Sequence, residues 1–227
     1  MAMKSPSNIN QAFIFGANDF SELILSHLKN DRDAPEIVAF VVDRQYIQAE
    51  FYSGLPLIAF DEALHLLPAE SFGVYVCLGY KRMNEGRRIV YKKLIESGYD
   101  ILSFIHPTAN VECERKGLGT IALSNVTIDR HCRIGDGNIF QIGAMVAHHT
   151  RIGDFNFFAP GACVTGQINI GDNCFFGANS TIKNGMTISD ATLVGAGAYV
   201  ASDTEVNSVI LPSPSVSLKG RSSLEML

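Results

Sequence analysis

The segment Val146-Ala147-His148-His149-Thr150-Arg151-Ile152-Gly153 holds the residue types best suited to chemistry. Imidazole titrates close to neutral pH, so a histidine here suits the removal and return of a substrate proton. Two neighbouring imidazoles disfavour a shared positive charge. The competing reading is a pair of solvated corner histidines. A second group of candidates sits at strand ends in the first hundred residues. Gly16-Ala17-Asn18-Asp19 follows an apolar run and opens a helix, and such a turn can present backbone N–H groups to a phosphate. It is not the GxGxxG dinucleotide fingerprint, so a nucleoside diphosphate fits better than NAD. Asp43 ends the next apolar run, placed for hydroxyl and N–H contacts to a ribose or base. In Gly79-Tyr80-Lys81-Arg82-Met83-Asn84, Lys81 and Arg82 either reach phosphate or belong to a solvated loop.

The elements that position these residues follow two different periods. From Ile128 to Val206 every sixth residue is aliphatic or Phe: Ile128, Ile134, Phe140, Val146, Ile152, Phe158, Val164, Ile170, Phe176, Ile182, Ile188, Val194, Val200 and Val206. Neither a helix nor an ordinary strand has this period, whereas a chain turning a triangular corner every six residues points one side chain inward per side. A period of eighteen lies on top. Gly135-Asp136, Gly153-Asp154, Gly171-Asp172 and Ser189-Asp190 recur at that step, as do the small residues Ala144, Ala162, Ser180 and Ala198. Three sides make one coil, and Gly and Asp are expected at corners of positive φ. Ile105 and Val111 already keep the step; residues 112–127 break it, and Glu114-Arg115-Lys116-Gly117 reads as a protruding loop.

Before the repeat, strands and helices alternate. Apolar runs at 12–15, 37–42, 72–78 and 101–105 read as strands. Helical spacing links Phe20, Leu23, Ile24 and Leu28, Asp61 is a cap for 62–67, and 83–97 reads as a helix with Ile89, Leu94 and Ile95 on its apolar side. The expected architecture is an α/β Rossmann-like small parallel sheet over residues 11–105, then a parallel β-helix over 106–210, flanked by tails at 1–10 and 211–227.

Bulk properties exclude several classes. A net charge of −5 gives no general attraction to nucleic acid or anionic membrane. No 18-residue apolar run suits a membrane span, and Met1–Ser7 lacks a signal-peptide core, so a cytoplasmic place is expected. The cysteines Cys77, Cys113, Cys132, Cys163 and Cys174 have no zinc spacing and read as reduced thiols in strands.

The repeat, with its Ile-Gly-Asp corners, resembles the left-handed β-helix of hexapeptide-repeat acyltransferases. Phe15-Gly16-Ala17, the strand ending at Asp43, Gly54-Leu55-Pro56 and Ile105-His106-Pro107 ahead of it resemble one subgroup. These are the sialic-acid O-acetyltransferase-like proteins, which include bacterial nucleotide-amino-sugar N-acetyltransferases such as those making diacetylated bacillosamine. The resemblance spans roughly residues 11 to 210. It implies transfer of an acetyl group, or a longer acyl group, from acyl-CoA to the amine of a nucleotide-linked amino sugar, by a homotrimer that needs no metal.

Residue by residue, the resemblance maps the general base to His148, five residues before the corner Gly153, and the oxyanion-binding backbone N–H to Gly166, one coil later. The family's orienting Glu is replaced here by His149. An upstream Asn becomes Gln141, and a second histidine near the thioester becomes Phe157. The first loop's histidine becomes Phe20. Coenzyme A is expected along the outside of the β-helix between subunits, lined by Gly161, Gly177, Ala178, Ala196 and Gly197. Gly16, Ala17, Asn18, Asp43 and Lys81 then become substrate contacts, together with Gln141. Other readings keep the fold: an O-acetyltransferase acting on sialic acid or another sugar hydroxyl, and a non-catalytic nucleotide-sugar-binding protein. A third is a γ-carbonic-anhydrase-like metalloenzyme, against which stand the gaps of 17 and 1 between His131, His148 and His149. Adjacent histidines on a strand are also expected to point to opposite sides.

Overall fold

The computed structural model describes residues 9–214. The N-terminal half is a sheet in the order β3-β4-β2-β1-β5-β6, from β1 (Gln11–Phe15), β2 (Glu36–Val42), β3 (Phe51–Tyr52), β4 (Leu55–Ala59), β5 (Phe72–Val76) and β6 (Asp100–Ile101). Every pairing is parallel except the β3–β4 hairpin. The strands read as continuous apolar runs because both faces are covered. Helix α1 (Asp19–Leu28) buries Ile24, Leu25 and Leu28 against Ile14 and Phe40. Helices α2 (Phe60–Leu66) and α3 (Glu85–Glu96) cover the other face, packing Ala63, Val90 and Leu94 on Phe13, Phe15 and Val41.

Three expectations for this half are corrected. Helix α2 starts at Phe60 with Ala59 at its N-cap, so Asp61 lies in the first turn and accepts Arg44 Nε at 3.0 Å instead of capping. The buried side of α3 is Arg87, Val90, Tyr91 and Leu94, while Ile89 and Ile95 are more than half exposed. The run 101–105 is two strands: β6 closes the first sheet, and Phe104–Ile105 already pairs with Ile121–Ala122 in the second architecture.

That architecture is a left-handed parallel β-helix of two-residue strands on three faces. The first face runs from Phe104–Ile105 to Val209–Ile210, the second from Asn110–Val111 to Tyr199–Val200, and the third from Arg133–Ile134 to Thr187–Ile188. The six-residue row is buried from Ile128 to Val200, each side chain at most 5% exposed. Phe140, Phe158 and Phe176 stack along the axis, with centroids 4.5 and 4.6 Å apart. Val206 is the exception, 60% exposed. The last coil is shortened, so Leu193 pairs with Val209, sixteen residues on, and Ile210 meets the core.

Nor is Glu114–Gly117 a protruding loop. Arg115 bridges Arg133, and Glu114 N–H donates to the Cys132 carbonyl. Pairings before this point are seventeen residues apart (Asn110 with Thr127) and those after it eighteen (Ile121 with Ile139). One side of the first coil is therefore a residue short, and a periodicity slip mimics a loop.

The Gly-Asp corners also have a different cause from the one expected. Positive φ falls on the residue after the Asp: Gly137, Phe155, Asn173 and Ala191. Each Asp instead accepts the backbone N–H of its counterpart one coil earlier: Asp154 from Asp136 and Asp172 from Asp154 at 2.7 Å, and Asp190 from Asp172 at 2.8 Å. The glycine leaves room for that carboxylate, since a Cβ on Gly153 would lie 2.2 Å from Asp172 Oδ1.

Arg87 fastens the two halves together. It is 1% exposed, and its donors reach five carbonyls, those of Leu78, Gly79, Gly137, Phe155 and Asn156, at 2.9–3.2 Å. Burial pushes its pKa down to about 10, which leaves it charged at neutral pH. The first face of the β-helix supplies Ile121, Ile139 and Phe157 to the core that also holds Ile14 and Phe40. The tails expected at 1–10 and 211–227 lie mostly outside the described residues.

Candidate active site

His148 and His149 sit at the corner between the second and third faces, just after Met145–Val146 and just before Arg151–Ile152. His149 takes the positive φ that turns the chain, 57°. Both side chains are exposed, because Val146 and Ile152 use the inward positions on either side. The two rings do not diverge as residues on a strand would. Their Nδ1 atoms are 3.0 Å apart, with the ring planes at 85°.

Gly166 lies below His148 at the same corner. A Cβ there would stand 2.9 Å from His148 Cε1 and 3.2 Å from Nδ1. Only a glycine lets the imidazole lie against the next coil. Among the described residues nothing accepts the Gly166 N–H, whereas its flanking N–H groups are spent: Thr165 donates to Ile182 and Gln167 to His148. One coil further on, Asn184 steadies this peptide once its amide is assigned with the nitrogen toward Gly166: the nitrogen then donates to the Gly166 carbonyl at 2.8 Å and the oxygen accepts from Gly185 N–H at 3.2 Å. Asn184 was missed in the sequence, although the eighteen-residue step from His148 and Gly166 leads directly to it.

The step also leads from His149 back to His131, whose ring centroid is 4.7 Å from that of His149. His131 Nδ1 is 3.0 Å from Glu114 Oε1, and Arg133 Nε is 3.3 Å from the other carboxylate oxygen. The hydrogen bonds from His131 and Arg133 hold the Glu114 carboxyl below its ordinary range, His131 first. Among the described residues no group of three or more His, Cys, Asp or Glu is placed to hold a metal ion.

The residues expected to line coenzyme A gather elsewhere, at the corner between the first and second faces. Gly161 and Gly177 are small for packing reasons, since a Cβ would meet Asn179 Oδ1 at 2.3 Å and Ala196 N at 2.4 Å. Beside Gly197 there is open space, and Ala196 is exposed. Gln141 is at this corner too, so within one chain it stands apart from His148: Ala144 N–H donates to its carbonyl. The second face, carrying Met145, Cys163 and Tyr199 outward, lies between the two corners. Two shallow surface depressions, one centred on Asn169 and Thr187 and one on Arg133 and Arg151, include neither His148 nor Gly166.

The expected substrate contacts have structural duties. Gly16 holds φ of 119°, and a Cβ would lie 2.8 Å from the Cys77 carbonyl, so no other residue fits this turn. Asn18 spends its side chain on the cap of α1, accepting from Phe20 and Ser21 N–H and donating to the Cys77 carbonyl. Ala17 is half-buried between them. The Asp43 carboxylate is met by Lys93, whose ammonium lies 3.9 Å from the Phe60 ring centroid and 4.8 Å from that of Phe15. The 79–84 loop is exposed from Gly79 to Arg82 and is anchored at Tyr80 and Asn84. Tyr80 packs on Phe157 and Phe175 at 4.9 and 4.8 Å, and Asn84 donates to the Cys174 carbonyl. Lys81 and Arg82 are both exposed, and Arg82 pairs with Glu85 at 3.1 Å.

Residues 149–184 match the family model for the bacterial transferase hexapeptide (six repeats), and residues 167–202 match that for the hexapeptide repeat of succinyl-transferase. Hexapeptide repeats thus account for residues 149–202. No curated protein matches it in sequence. Among solved structures, this chain is similar to perosamine N-acetyltransferase from Caulobacter crescentus in complex with CoA and GDP-perosamine. Identity is 25%, the TM-score is 0.79, and the match covers 89% of this chain and 94% of that one. The acetyltransferase domain of PglB from Neisseria gonorrhoeae, also solved with acetyl coenzyme A, shares the fold at 24% identity and a TM-score of 0.81, over 92% of this chain and 99% of that one. WeeI from Acinetobacter baumannii shares it at 21% identity and 0.78, over 88% and 96%. The likeness extends through both halves, the parallel α/β sheet and the hexapeptide coils that follow it. Among the described residues no helix is long and apolar enough to cross a membrane.

Proposed function

We propose that this protein transfers an acyl group, in the first instance acetyl, from acyl-CoA to the amine of a nucleotide-linked amino sugar. The observation that carries the reading is the packing of His148 against Gly166, an exposed imidazole beside a backbone N–H without a partner among the described residues. It occurs in a chain similar over 89% of its length to an N-acetyltransferase solved with CoA and a GDP-amino sugar.

In this reading the sugar nitrogen attacks the thioester carbonyl and a C–N bond forms. His148 Nε2 takes the proton that the nitrogen loses. The carbonyl electron pair moves to oxygen, where the Gly166 N–H stabilises it. The C–S bond then breaks, and the proton on His148 passes to the departing sulfur. The nucleotide falls to the N-terminal half, with the Gly16–Asn18 turn, Asp43 and Lys81 at the strand ends. The Lys93 pairing means that Asp43 acts as a half-neutralised acceptor.

The two corners bear on assembly. His148 and the small-residue corner stand on opposite edges of the second face, so a donor lying between both needs the small-residue corner of another copy. A homotrimer with interfacial sites satisfies this, and the outward Met145 and Tyr199, 46% and 61% exposed, would then be covered. The deciding experiment follows thiol release from acetyl-CoA across nucleotide-linked 3- and 4-amino sugars, with His148→Ala as control. Turnover of an amino sugar that is lost in His148→Ala supports the reading. Acetylation of free sialic acid and of no amino sugar overturns it in favour of the O-acetyltransferase.

A further inference from the structure

We infer that His149 is a positioning residue for His148, accepting its Nδ1–H, and that His131, tied to Glu114, holds His149 in place. The inference rests on the proposed role of His148 as base. The Nδ1 atoms of His148 and His149 are 3.0 Å apart, so one carries a proton and the other a lone pair. If His149 were the donor, His148 would carry its proton on Nε2 and present no lone pair to a substrate. If His149 is the acceptor, His148 is the Nδ1–H tautomer with Nε2 free. The second arrangement also survives the reaction. When Nε2 gains the substrate proton both nitrogens of His148 become donors, and Nδ1–H still meets the His149 lone pair. The proton on Nδ1 never leaves, and the one on Nε2 returns to the leaving sulfur, so the pair ends as it began.

His149 can play this part only while its ring stays turned toward His148. It stands exposed on a corner, where rotamer freedom is large. The ring of His131 closes that freedom, packing against the His149 ring at 4.7 Å and 36°. Both corners have matching backbone, φ of 61° at His131 and 57° at His149, which is why side chains eighteen residues apart meet. The Glu114 carboxylate can only accept, so the 3.0 Å contact fixes a proton on His131 Nδ1 and with it the ring's orientation. Arg133 braces the carboxylate from the other side. Glu114, His131 and His149 thus form a column on three successive coils that ends at the base.

The test uses the full-length protein labelled with 15N in its six histidines. Long-range imidazole NMR reads the tautomer of each ring under alkaline conditions, where the rings are neutral. His148 is expected as the Nδ1–H tautomer in the unmodified protein and as Nε2–H in His149→Ala. In steady-state kinetics His149→Ala is expected to lower kcat roughly 10-fold or more while KM for both substrates stays within about twofold. His149→Glu, which restores an acceptor, is expected to recover most of kcat. His131→Ala is expected to give a smaller loss in the same direction. A His148 tautomer that is Nε2–H from the start, or that His149→Ala leaves unchanged, overturns the proposal. So does a kcat in His149→Ala equal to that of the unmodified protein, or a loss that His149→Glu does not recover. If no amino sugar is acylated at all, the functional reading fails, and the tautomer alone decides this one.

Discussion

The imidazole of His148 lies against the Cα of Gly166, eighteen residues later, with so little room that a single added methyl would stand 2.9 Å from Cε1. Gly166 therefore has two duties, an N–H without a partner among the described residues and a space for the base. Gly166→Ala keeps the N–H and fills the space. Because the backbone there needs no positive φ, the fold is expected to hold, with an unchanged circular dichroism spectrum. The displaced ring is expected to lower kcat roughly 100-fold, the scale of a 1 Å misplacement. A kcat within a few-fold of the unmodified protein would show that the His148–Gly166 contact is incidental.

Arg87 ties the two halves together through three carbonyls of the β-helix, those of Gly137, Phe155 and Asn156. Arg87→Met retains much of the volume and leaves five carbonyls without their donor. A loss of about 3–5 kcal/mol is expected, the scale for breaking a buried charged network. Urea unfolding followed by fluorescence and circular dichroism checks it. Two separate transitions, the α/β half first, are the expected form, since the hexapeptide coils keep their own core.

The aspartate ladder makes a prediction by double-mutant cycle. Gly153→Ala forces a methyl to within 2.2 Å of Asp172 Oδ1 and is expected to cost about 1–3 kcal/mol, the usual penalty for overpacking. Asp172→Ala removes both the obstacle and the bond to Asp154 N–H. The double substitution is expected to cost less than the sum of the two by at least about 0.5 kcal/mol. Strict additivity, measured by thermal unfolding, would mean that glycine is used here for another reason.

Assembly through the second face is tested by charge. Tyr199→Asp and Met145→Asp each place a carboxylate on the outward column of that face. Light scattering after size exclusion is expected to show dissociation from trimer to monomer, with thiol release lost in parallel. A monomeric variant with full activity would mean that one chain carries a complete site.

The coil and its register are legible from the order of residues alone. A period of six is a purely local consequence of turning a triangular corner, so the inward row from Ile128 to Val200 could be read without knowing what it packs against. The same ruler put His148 and Gly166 on successive coils. It failed where coils change length, at Glu114–Gly117 and at Val206, because a slip of one or two residues has the same signature as a loop or as continued repeat. The lateral relationships, by contrast, emerge only in the folded molecule. Whether His148 and His149 face one another depends on a left-handed corner residue, and whether His131 meets them depends on the coil above. Arg87 reads as one charge on the face of a helix until the β-helix supplies carbonyls for it. Apolar periodicity records which side chains are buried. It carries no information about which polar groups are paired, because hydrogen bonds join residues by direction and distance across coils rather than by spacing along the chain.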